Sequence, residues 1–394
     1  MNAAGAGLPP LSLYLHFPWC VSKCPYCDFN SHALREALPE DRYIDTLLLD
    51  VAAQSPRVAG REIVSVFMGG GTPSLFGPRA LDRLLQEIRR KLPFAADAEI
   101  TLEANPATVE RGRFAEYRAI GINRVSLGAQ SFDDETLKAL GRIHTPADVL
   151  RAAEELHACG LANFNLDLMY ALPSQPLAGA LADVTAALAL APAHLSHYQL
   201  TLEPGTLFAA QPPPLPDEDL AWAMQLECQA LLGAYGFDQY EVSAYARGGR
   251  QCRHNLNYWT FGDYLGIGAG AHGKVTAPGA SGWQIERSVH LREPRRYLAS
   301  AQAAQWRGVP VADIAFEFMM NALRLTGGFT PQQLEDRTGL PLEALAPKLE
   351  SLVIEGLMEP AAGGWRASPR GFQYLNEVVA RFLPGPDSRI TTGS

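Results

Sequence analysis

Two kinds of hydrophobic pattern alternate along the first half of the chain. Short apolar runs rich in β-branched and aromatic residues predict strands, and longer segments in which Leu, Ile and Ala recur every three or four positions predict amphipathic helices. The predicted strands are Leu11–Pro18, Ile63–Gly70, Glu99–Pro106, Arg124–Ser131, Asn163–Leu172 and His194–Leu202. The predicted helices are Asp41–Ala53, Arg79–Leu92, Thr108–Ala119, Ala147–Cys159 and Gly179–Leu190. This alternation predicts parallel strands joined by right-handed crossovers.

The strand patterns place the chain in the α/β class. Most of them are nearly continuous apolar runs, such as Val64–Met68, which is typical of a parallel sheet covered on both faces. Six βα units form either an incomplete TIM-like barrel or an open doubly wound sheet, and periodicity does not separate the two. Polar and glycine residues gather at the carboxyl ends of the strands, where barrels place their chemistry. The strand ends therefore favour a partial (β/α)6 barrel over residues 1–205, and the open doubly wound sheet stays as the alternative.

The pattern changes after this unit. A proline-rich turn, a helix and a glycine- and aromatic-rich stretch predict an α+β cap over residues 206–310. Residues 311–385 are predicted to form a small winged-helix-like helical domain, from two helices at Thr330–Leu340 and Leu342–Gly356, a Gly-Gly turn and a last helix near Pro369–Phe382. Because this segment is rich in Asp and Glu, we expect it to pack or bind a partner rather than bind DNA.

Composition narrows the class of partner. The chain has 394 residues, a formal charge of -9 and no dense Lys/Arg stripe, which argues against a nucleic-acid partner because such affinity rests mostly on phosphate neutralisation. The first ten residues lack the basic and apolar regions of a secretory signal, and no apolar run reaches the roughly 18 residues of a membrane span. The expected location is the cytoplasm, where six cysteines are not a disulfide framework.

Three of the cysteines lie within eight residues, at Cys20, Cys24 and Cys27. A [4Fe-4S] cluster normally takes four thiolates, and Phe29 further along cannot ligate. Three thiolates would leave one iron open to a substrate, as catalytic metal sites do. The alternative is structural zinc, with His32 completing a Cys₃His tetrahedron. The position of the motif on the loop after the first strand favours the cluster.

The ends of the other predicted strands supply polar and glycine residues that could bind a ligand. Gly69–Pro73 follows the second strand and lets backbone approach a ligand closely. Glu103, Gln130 and Asp167 end later strands, and Arg142 lies on a helix between them. Carboxylates of the protein can accept hydrogen bonds from ligand hydroxyls, and an arginine can bind a ligand carboxylate. This set of side chains therefore suits a zwitterionic, ribose-bearing ligand.

Eight motifs together carry a family resemblance. They are Tyr14–Cys20, Cys20–Phe29, Gly69–Ser74, Glu103–Pro106, Gly128–Phe132, Gly141–His144, Asn165–Met169 and His254–Trp259. In combination, from Tyr14 to the C-terminal domain, they resemble the HemW family of radical-SAM heme chaperones, relatives of the oxygen-independent coproporphyrinogen III dehydrogenase HemN. The resemblance implies a radical-SAM barrel, a [4Fe-4S] cluster on the three cysteines, and S-adenosylmethionine (SAM) held on the fourth iron and reduced by one electron.

The resemblance also implies ligand contacts. For SAM they are Tyr14, the Tyr26 backbone, Gly70, Gly71, Thr72, Glu103, Gln130, Arg142, Asp167 and Thr201. The motif His254–Trp259 is linked to heme, with His254 as a plausible axial ligand, Tyr258 and Trp259 able to stack on a macrocycle, and Asn255 beside them. In the alternative, His254 and Asn255 only join cap and barrel by hydrogen bonds.

Two departures separate this chain from the dehydrogenase: Phe29 replaces a further cysteine, and the segment before Tyr14 is short. The leading hypothesis is therefore a heme-binding chaperone that delivers heme to hemoproteins of the respiratory chain, transiently at the membrane surface, with a dimer as the expected assembly. The runner-up is radical-SAM oxidative decarboxylation of coproporphyrinogen III, and a zinc-stabilised binding module is the third. No catalytic residue is assigned.

Overall fold

The computed structural model describes residues 7–107, 113–279, 282–300 and 304–385. The strands are β1 (Leu11–Phe17), β2 (Trp19–Cys20), β3 (His32–Ala33), β4 (Ile63–Gly70), β5 (Phe94–Ala104), β6 (Arg124–Gln130), β7 (Phe164–Tyr170), β8 (His194–Gln199), β9 (Asp238–Glu241), β10 (Ala244–Ala246), β11 (Asp263–Ile267), β12 (His272–Gly279), β13 (Gly282–Val289), β14 (Gln305–Gly308), β15 (Met358–Ala361) and β16 (Gly364–Ala367).

The helices begin where the sequence supplies starting signals. They are α1 (Glu40–Gln54), α2 (Pro78–Lys91), α3 (Arg113–Ala119), α4 (Asp134–Ala139), α5 (Pro146–Ala158), α6 (Leu177–Ala189), α7 (Leu207–Ala210), α8 (Glu218–Ala234), α9 (Arg253–Trp259), α10 (Pro294–Ser300), α11 (Val311–Ala322), α12 (Pro331–Thr338), α13 (Ala346–Ile354), α14 (Pro369–Gln373) and α15 (Leu375–Ala380). Helix α5, for example, has a capping box between Thr145 and Asp148 and a proline at its first turn. The start of the predicted helix 108–119 and the first six residues of the chain lie outside the described residues.

Six parallel strands form the centre of the fold. In the described residues, twelve strands make one sheet in the order β14-β13-β12-β11-β1-β4-β5-β6-β7-β8-β10-β9. The run from β1 through β4 to β8 is parallel throughout, and each strand lies within a few residues of its predicted position, apart from the earlier start of β5. The expected α/β fold of six βα units is confirmed.

The two faces of these strands differ in polarity. Along β7, Leu166 and Leu168 belong to the hydrophobic core, whereas Asn165 and Asp167 point to the opposite, concave side. There Asn165 donates to Ser126 Oγ at 2.7 Å and to Asp167 Oδ1 at 2.7 Å. The sequence pattern indicated apolar cover on both faces, but the concave face is polar, because its buried groups satisfy one another through hydrogen bonds.

Residues 206–310 contribute to the same sheet as the barrel. Strand β11 pairs in parallel with β1, and β12 to β14 continue that edge as antiparallel strands. At the other edge, β10 pairs antiparallel with β8 and β9. The predicted α+β cap therefore extends both edges of the sheet, and the boundaries after residues 205 and 310 remain a prediction.

The C-terminal residues supply most of a second hydrophobic core. Helices α11 to α15 and the ribbon β15–β16 enclose a cluster that includes Phe318, Leu334, Leu349, Leu352 and Met358. Helices followed by a two-stranded ribbon are compatible with the predicted winged-helix-like domain. Among the described residues, none of the helices combines the length and apolar character that a bilayer crossing requires.

Candidate functional site

The carboxyl ends of the six parallel strands surround a cavity of about 340 Å³, called the first cavity below. Its wall contains all three cysteines of the motif. It also contains most of the residues expected to contact SAM: Tyr26, Gly70, Gly71, Thr72, Glu103, Gln130, Arg142, Asp167 and Thr201. Residues that are far apart in sequence thus meet at the edge where the sequence reasoning expected them.

The cysteine loop is closed at its base by two short strands. Strands β2 and β3 pair in parallel, and backbone bonds run from His32 N to Pro18 O at 2.7 Å and from Leu34 N to Cys20 O at 2.8 Å. Within the loop, Cys27 N donates to Cys24 O at 3.2 Å. These bonds hold the loop over the end of β1 with the three thiols facing the cavity.

The donor set fits a multi-iron cluster better than a single ion. In the part of the chain that the structure describes, no three His, Cys, Asp or Glu side chains converge as a mononuclear metal site requires. The three thiols are instead spread around one cavity wall, and Arg142 Nη1 lies 3.7 Å from Cys24 Sγ. His32 lines a separate groove, and its Nε2 lies 3.4 Å from Asn30 Oδ1. The structure therefore does not bring His32 to the three thiols, as the alternative Cys₃His zinc site requires.

The glycine motif forms the floor beneath the cysteine loop. Gly71 N donates to Phe17 O at 2.7 Å and Thr72 N to Trp19 O at 2.8 Å, which ties this turn to β1 and β2. A Cβ at Gly71 would lie 2.6 Å from Trp19 O. Gly70 has a φ of +109°, a conformation that favours glycine. Only glycine fits this close crossing of two backbones.

Two polar side chains are poised for a ligand. Arg142 donates from Nη2 to Gly128 O at 2.6 Å, while its Nε is buried and has no partner among the described residues. Gln130 accepts from Tyr198 Oη at 2.8 Å and has a φ of +69°, a strained backbone for a residue with a side chain. An arginine with a buried free N–H on a cavity wall suits a ligand carboxylate.

Two carboxyl groups lie together on the concave face. Burial and the nearby charge of Asp167 together raise the pKa of Glu103 to about 8, although Gly70 N donates to Glu103 Oε2 at 3.0 Å. Burial also raises the pKa of Asp167, against hydrogen bonds from Ser196, Asn165 and Ser126. A cation or a pair of hydroxyls in the first cavity would relieve this cost, as a SAM molecule provides.

Glu103→Gln should stabilise the ligand-free protein in alkali. The pKa of Glu103 is higher in the folded chain (about 8) than the ordinary value near 4.3, so the wild type loses stability as the pH rises through that window. Glutamine stays neutral, so the variant should melt about 5 °C higher at pH 8 and at the same temperature near pH 4. Thermal unfolding at the two pH values measures this, with the exposed Glu116→Gln as control. An equal change in melting temperature at both pH values would refute the raised pKa of Glu103.

A second cavity of about 420 Å³ adjoins the first. Phe29, Gly70 and Glu103 line both cavities. The rest of its wall comes from β1, the cysteine loop, α9, β11 and the residues that follow β11 and β13: Tyr14, His16, Asn30, His254, Tyr258, Tyr264, Gly270, His272 and Arg292. Tyr14, expected to contact SAM, lies in this second wall. A molecule bound in the second cavity would lie directly beside the contents of the first.

Helix α9 carries the motif His254–Trp259 and presents it in two directions. Its first turn is fixed by Glu99, whose Oε1 accepts from Arg253 N at 2.9 Å. His254 and Tyr258, one turn apart, line the second cavity. The ring of His254 stacks on Phe67 with 4.8 Å between centroids.

The other half of the motif points away from both cavities. The guanidinium of Arg324 lies 4.3 Å from the centroid of the Trp259 ring. Trp259 packs with the small cluster of Tyr240, Ala244 and Leu325. Asn255 lines neither cavity. The structure therefore does not bring Asn255 and Trp259 to the position expected for heme contact.

Several wall residues were missed by the sequence reasoning. Tyr198 lies at the end of β8 and could have been found by the strand-end rule. His16 lies one residue before the end of β1, with its Nδ1 3.0 Å from Tyr14 Oη, and the same rule applies. No pattern marks His272 or Arg292, because both come from segments added to the edge of the sheet.

Fold and site together define a radical-SAM protein. The sequence profile of the Radical SAM superfamily matches residues 14–181, and that of the HemN C-terminal domain matches residues 309–374. The chain belongs to the HemW heme chaperone family: the heme chaperone HemW of Escherichia coli (strain K12) is 49% identical over 376 residues, covering 95% of this chain and 99% of the relative.

More distant proteins match most of the length of this chain. The mitochondrial radical S-adenosyl methionine domain-containing protein 1 of Mus musculus is 35% identical, covering 95% of this chain and 87% of the relative. Among solved structures, coproporphyrinogen III oxidase (HemN) from Escherichia coli has a TM-score of 0.80 at 23% identity, covering 95% of this chain and 90% of that one. This last likeness establishes the fold alone.

Proposed function

We propose that this chain is a heme chaperone: it binds heme in the second cavity and passes it to acceptor hemoproteins, with a [4Fe-4S] cluster and SAM in the first cavity. The observation that carries the proposal is the adjacency of the two cavities across Gly70 and Glu103, with the histidine of the heme-linked motif in the wall of the second. The family membership supports the same conclusion, since the relatives are named heme chaperones.

The residues of the first cavity divide between cluster and SAM. We assign Cys20, Cys24 and Cys27 to the cluster, which leaves one iron open. We assign Arg142 to the carboxylate of SAM, and Glu103 to its hydroxyl or ammonium groups. Gly70, Gly71, Thr72, Gln130, Asp167, Thr201 and the Tyr26 backbone complete the proposed SAM wall. When bound, the cluster and SAM supply one-electron chemistry, and the protein supplies position and exclusion of water.

His254 is suited to bind the heme iron. Burial lowers its pKa to about 3, helped by the charge of Arg124, so its imidazole is neutral at physiological pH, the form that binds a metal. Its Nδ1 lies 3.5 Å from Ser65 Oγ, and Nε2 has no hydrogen-bond partner among the described residues. Tyr14, Tyr258 and Tyr264 offer aromatic surface for the macrocycle in the same wall.

Heme titration of the wild type and of His254→Ala tests this assignment. We expect a shifted Soret band and saturable binding in the wild type, and a loss of about ten-fold or more in affinity with an altered spectrum in the variant. His157→Ala, which removes an exposed histidine on α5, is the matched control and should leave the titration unchanged. Identical affinity and spectrum for His254→Ala would leave His254 with only its packing role between α9 and the sheet.

The finer parts of the proposal rest on the family resemblance. They are delivery in the cytoplasm to hemoproteins of the respiratory chain, transient contact with the membrane surface, and a dimeric assembly. The absence of a basic stripe in a chain of charge -9 supports proteins rather than nucleic acid as partners.

A second candidate function is favoured by the same adjacency. A tetrapyrrole in the second cavity would lie next to SAM, as the oxidative decarboxylation of coproporphyrinogen III requires. An anaerobic assay for protoporphyrinogen with the reconstituted protein separates the two functions. Sustained turnover would replace the chaperone proposal with the enzymatic one.

A further inference from the structure

The rim of the second cavity differs in chemistry from its interior. Inside lie aromatic rings and His254, and at the opening lie His272 and Arg292, both exposed. His272 begins β12, and Arg292 lies between β13 and α10. Neither residue has a part in holding the cluster, SAM or the heme iron in the function proposed above.

The rim carries positive charge that the protein does not neutralise. Among the described residues, neither Arg292 nor the neighbouring Arg307 forms an ion pair with an acidic side chain. Burial lowers the pKa of His272, and the nearby positive charges of Arg287, Arg292 and Arg307 lower it further. An unpaired arginine at an opening, with further positive charge near it, favours an anionic ligand.

Two acidic side chains beside the arginines of this region already accept other hydrogen bonds. Glu317 accepts two hydrogen bonds from Arg287, at 3.0 and 2.7 Å. Glu293, the residue after Arg292, accepts from Arg295 N at 3.0 Å and from Arg296 N at 2.7 Å at the start of α10. Neither carboxylate is free to neutralise Arg292.

The inner wall of the second cavity differs from its rim, because it carries an acidic group and an apolar side chain. Glu103 lines the inner wall, and burial holds the pKa of this carboxyl at about 8, so an added carboxylate there would face a second buried acid. Phe29, 60% exposed on the ridge between the two cavities, offers an apolar edge. A planar ligand with carboxylates on one side is therefore oriented: carboxylates towards the rim and apolar edge towards Glu103.

We propose that Arg292 and His272 form a carboxylate-binding rim that receives the propionates of a tetrapyrrole lying against Tyr14 and Tyr258. This rests on the proposed heme binding and specifies how the ring is oriented. With the propionates at the opening, the apolar edge of the ring points towards the first cavity. The charged side remains exposed to an acceptor, which can take the heme from that side.

The test compares heme with heme dimethyl ester, in which both propionates are neutral. We expect wild-type protein to bind heme about ten-fold more tightly than the ester. Arg292→Ala should weaken heme binding about five- to ten-fold and change ester binding less than about two-fold, and His272→Gln should act in the same direction. The control is Arg295→Ala, which removes an exposed arginine of α10 that pairs with Glu36 outside the cavity.

Each outcome bears on a different statement. If wild-type protein binds heme and its ester equally, or if Arg292→Ala weakens both equally, the rim is not the propionate site, and the heme-binding proposal stands. If wild-type protein gives no Soret shift with either compound, the proposed function fails and the rim proposal fails with it. Loss of heme binding in Arg295→Ala equal to that in Arg292→Ala would also overturn the assignment.

Discussion

Cys24→Ala should leave the protein unable to hold its cluster. Anaerobic reconstitution should give about four irons per chain and broad absorption near 400 nm in the wild type, and less than about one iron in the variant. With three cysteines in the first cavity, removal of one leaves two protein ligands for the whole cube. Cys24 is also the thiol closest to Arg142, so the loss also removes a contact of the proposed SAM carboxylate site.

The control for this experiment is Cys159→Ala. Cys159 follows α5 on the outside of the barrel, where its Sγ donates to Leu156 O at 3.4 Å, and it should retain wild-type iron content. Circular dichroism and thermal unfolding of both variants without iron separate loss of the cluster from loss of the fold. Wild-type iron content and absorption in Cys24→Ala would contradict the cluster assignment.

Among the proposed substitutions, Asp263→Ala should cause the largest loss of unfolding free energy. Asp263 is fully buried at the start of β11 and lies 2.9 Å from Lys274 Nζ and 2.9 Å from Arg61 Nη1. It also accepts from Thr276 N at 2.9 Å. Removing the carboxylate leaves two buried cations without their counter-charge, a change that costs about 3–5 kcal/mol of unfolding free energy.

Urea unfolding followed by circular dichroism measures this loss at pH 7, with Asp97→Ala as the control. Asp97 pairs with Arg253 at the surface, and its loss should change stability far less than the loss of Asp263. Burial opposes ionisation of Asp263, but the charges of Lys274 and Arg61 hold its pKa below the usual value. Its stabilisation is therefore complete above about pH 4 and is lost as the pH falls through the folded pKa. A deficit below about 1 kcal/mol at pH 7 would contradict the account.

The sequence was sufficient to predict the parallel strands and the first cavity. Continuous apolar runs located β4 and β6, and in a parallel sheet the residues that follow such runs meet at one edge. That rule predicts that Glu103, Gln130 and Asp167 lie beside the cysteine loop, although whole helices separate their strands in sequence, and all three line the first cavity with the cysteines.

The edges of the sheet and the second cavity could not be predicted in the same way. Strand β11 pairs with β1, placing Asp263 opposite Leu11, and no local pattern reports a partner so distant along the chain. The turn after β11 then approaches the cysteine loop, where a Cβ at Gly270 would lie 2.2 Å from Asn30 Nδ2. The second cavity exists because of these contacts, which explains why the sequence did not identify His272.

The motif on α9 illustrates a partial prediction. Sequence singled out His254, Asn255, Tyr258 and Trp259 as one group. Residues four positions apart lie on the same face of a helix. His254 and Tyr258 therefore share the face that lines the second cavity, while Trp259 lies on another face and contacts Arg324. The direction of that face depends on Glu99 at the first turn of α9, a contact between strand and helix that only the folded chain contains.

Heme transfer tests the central proposal most directly. Heme-loaded wild-type protein, with its cluster reconstituted anaerobically and SAM present, is mixed with an apo-hemoprotein, and the absorption of donor and acceptor is followed over time. Transfer of about one heme per chain, greatly reduced in His254→Ala, is the result predicted for a chaperone that holds heme in the second cavity. No transfer from wild-type protein, or transfer at the rate of free heme release, would contradict it.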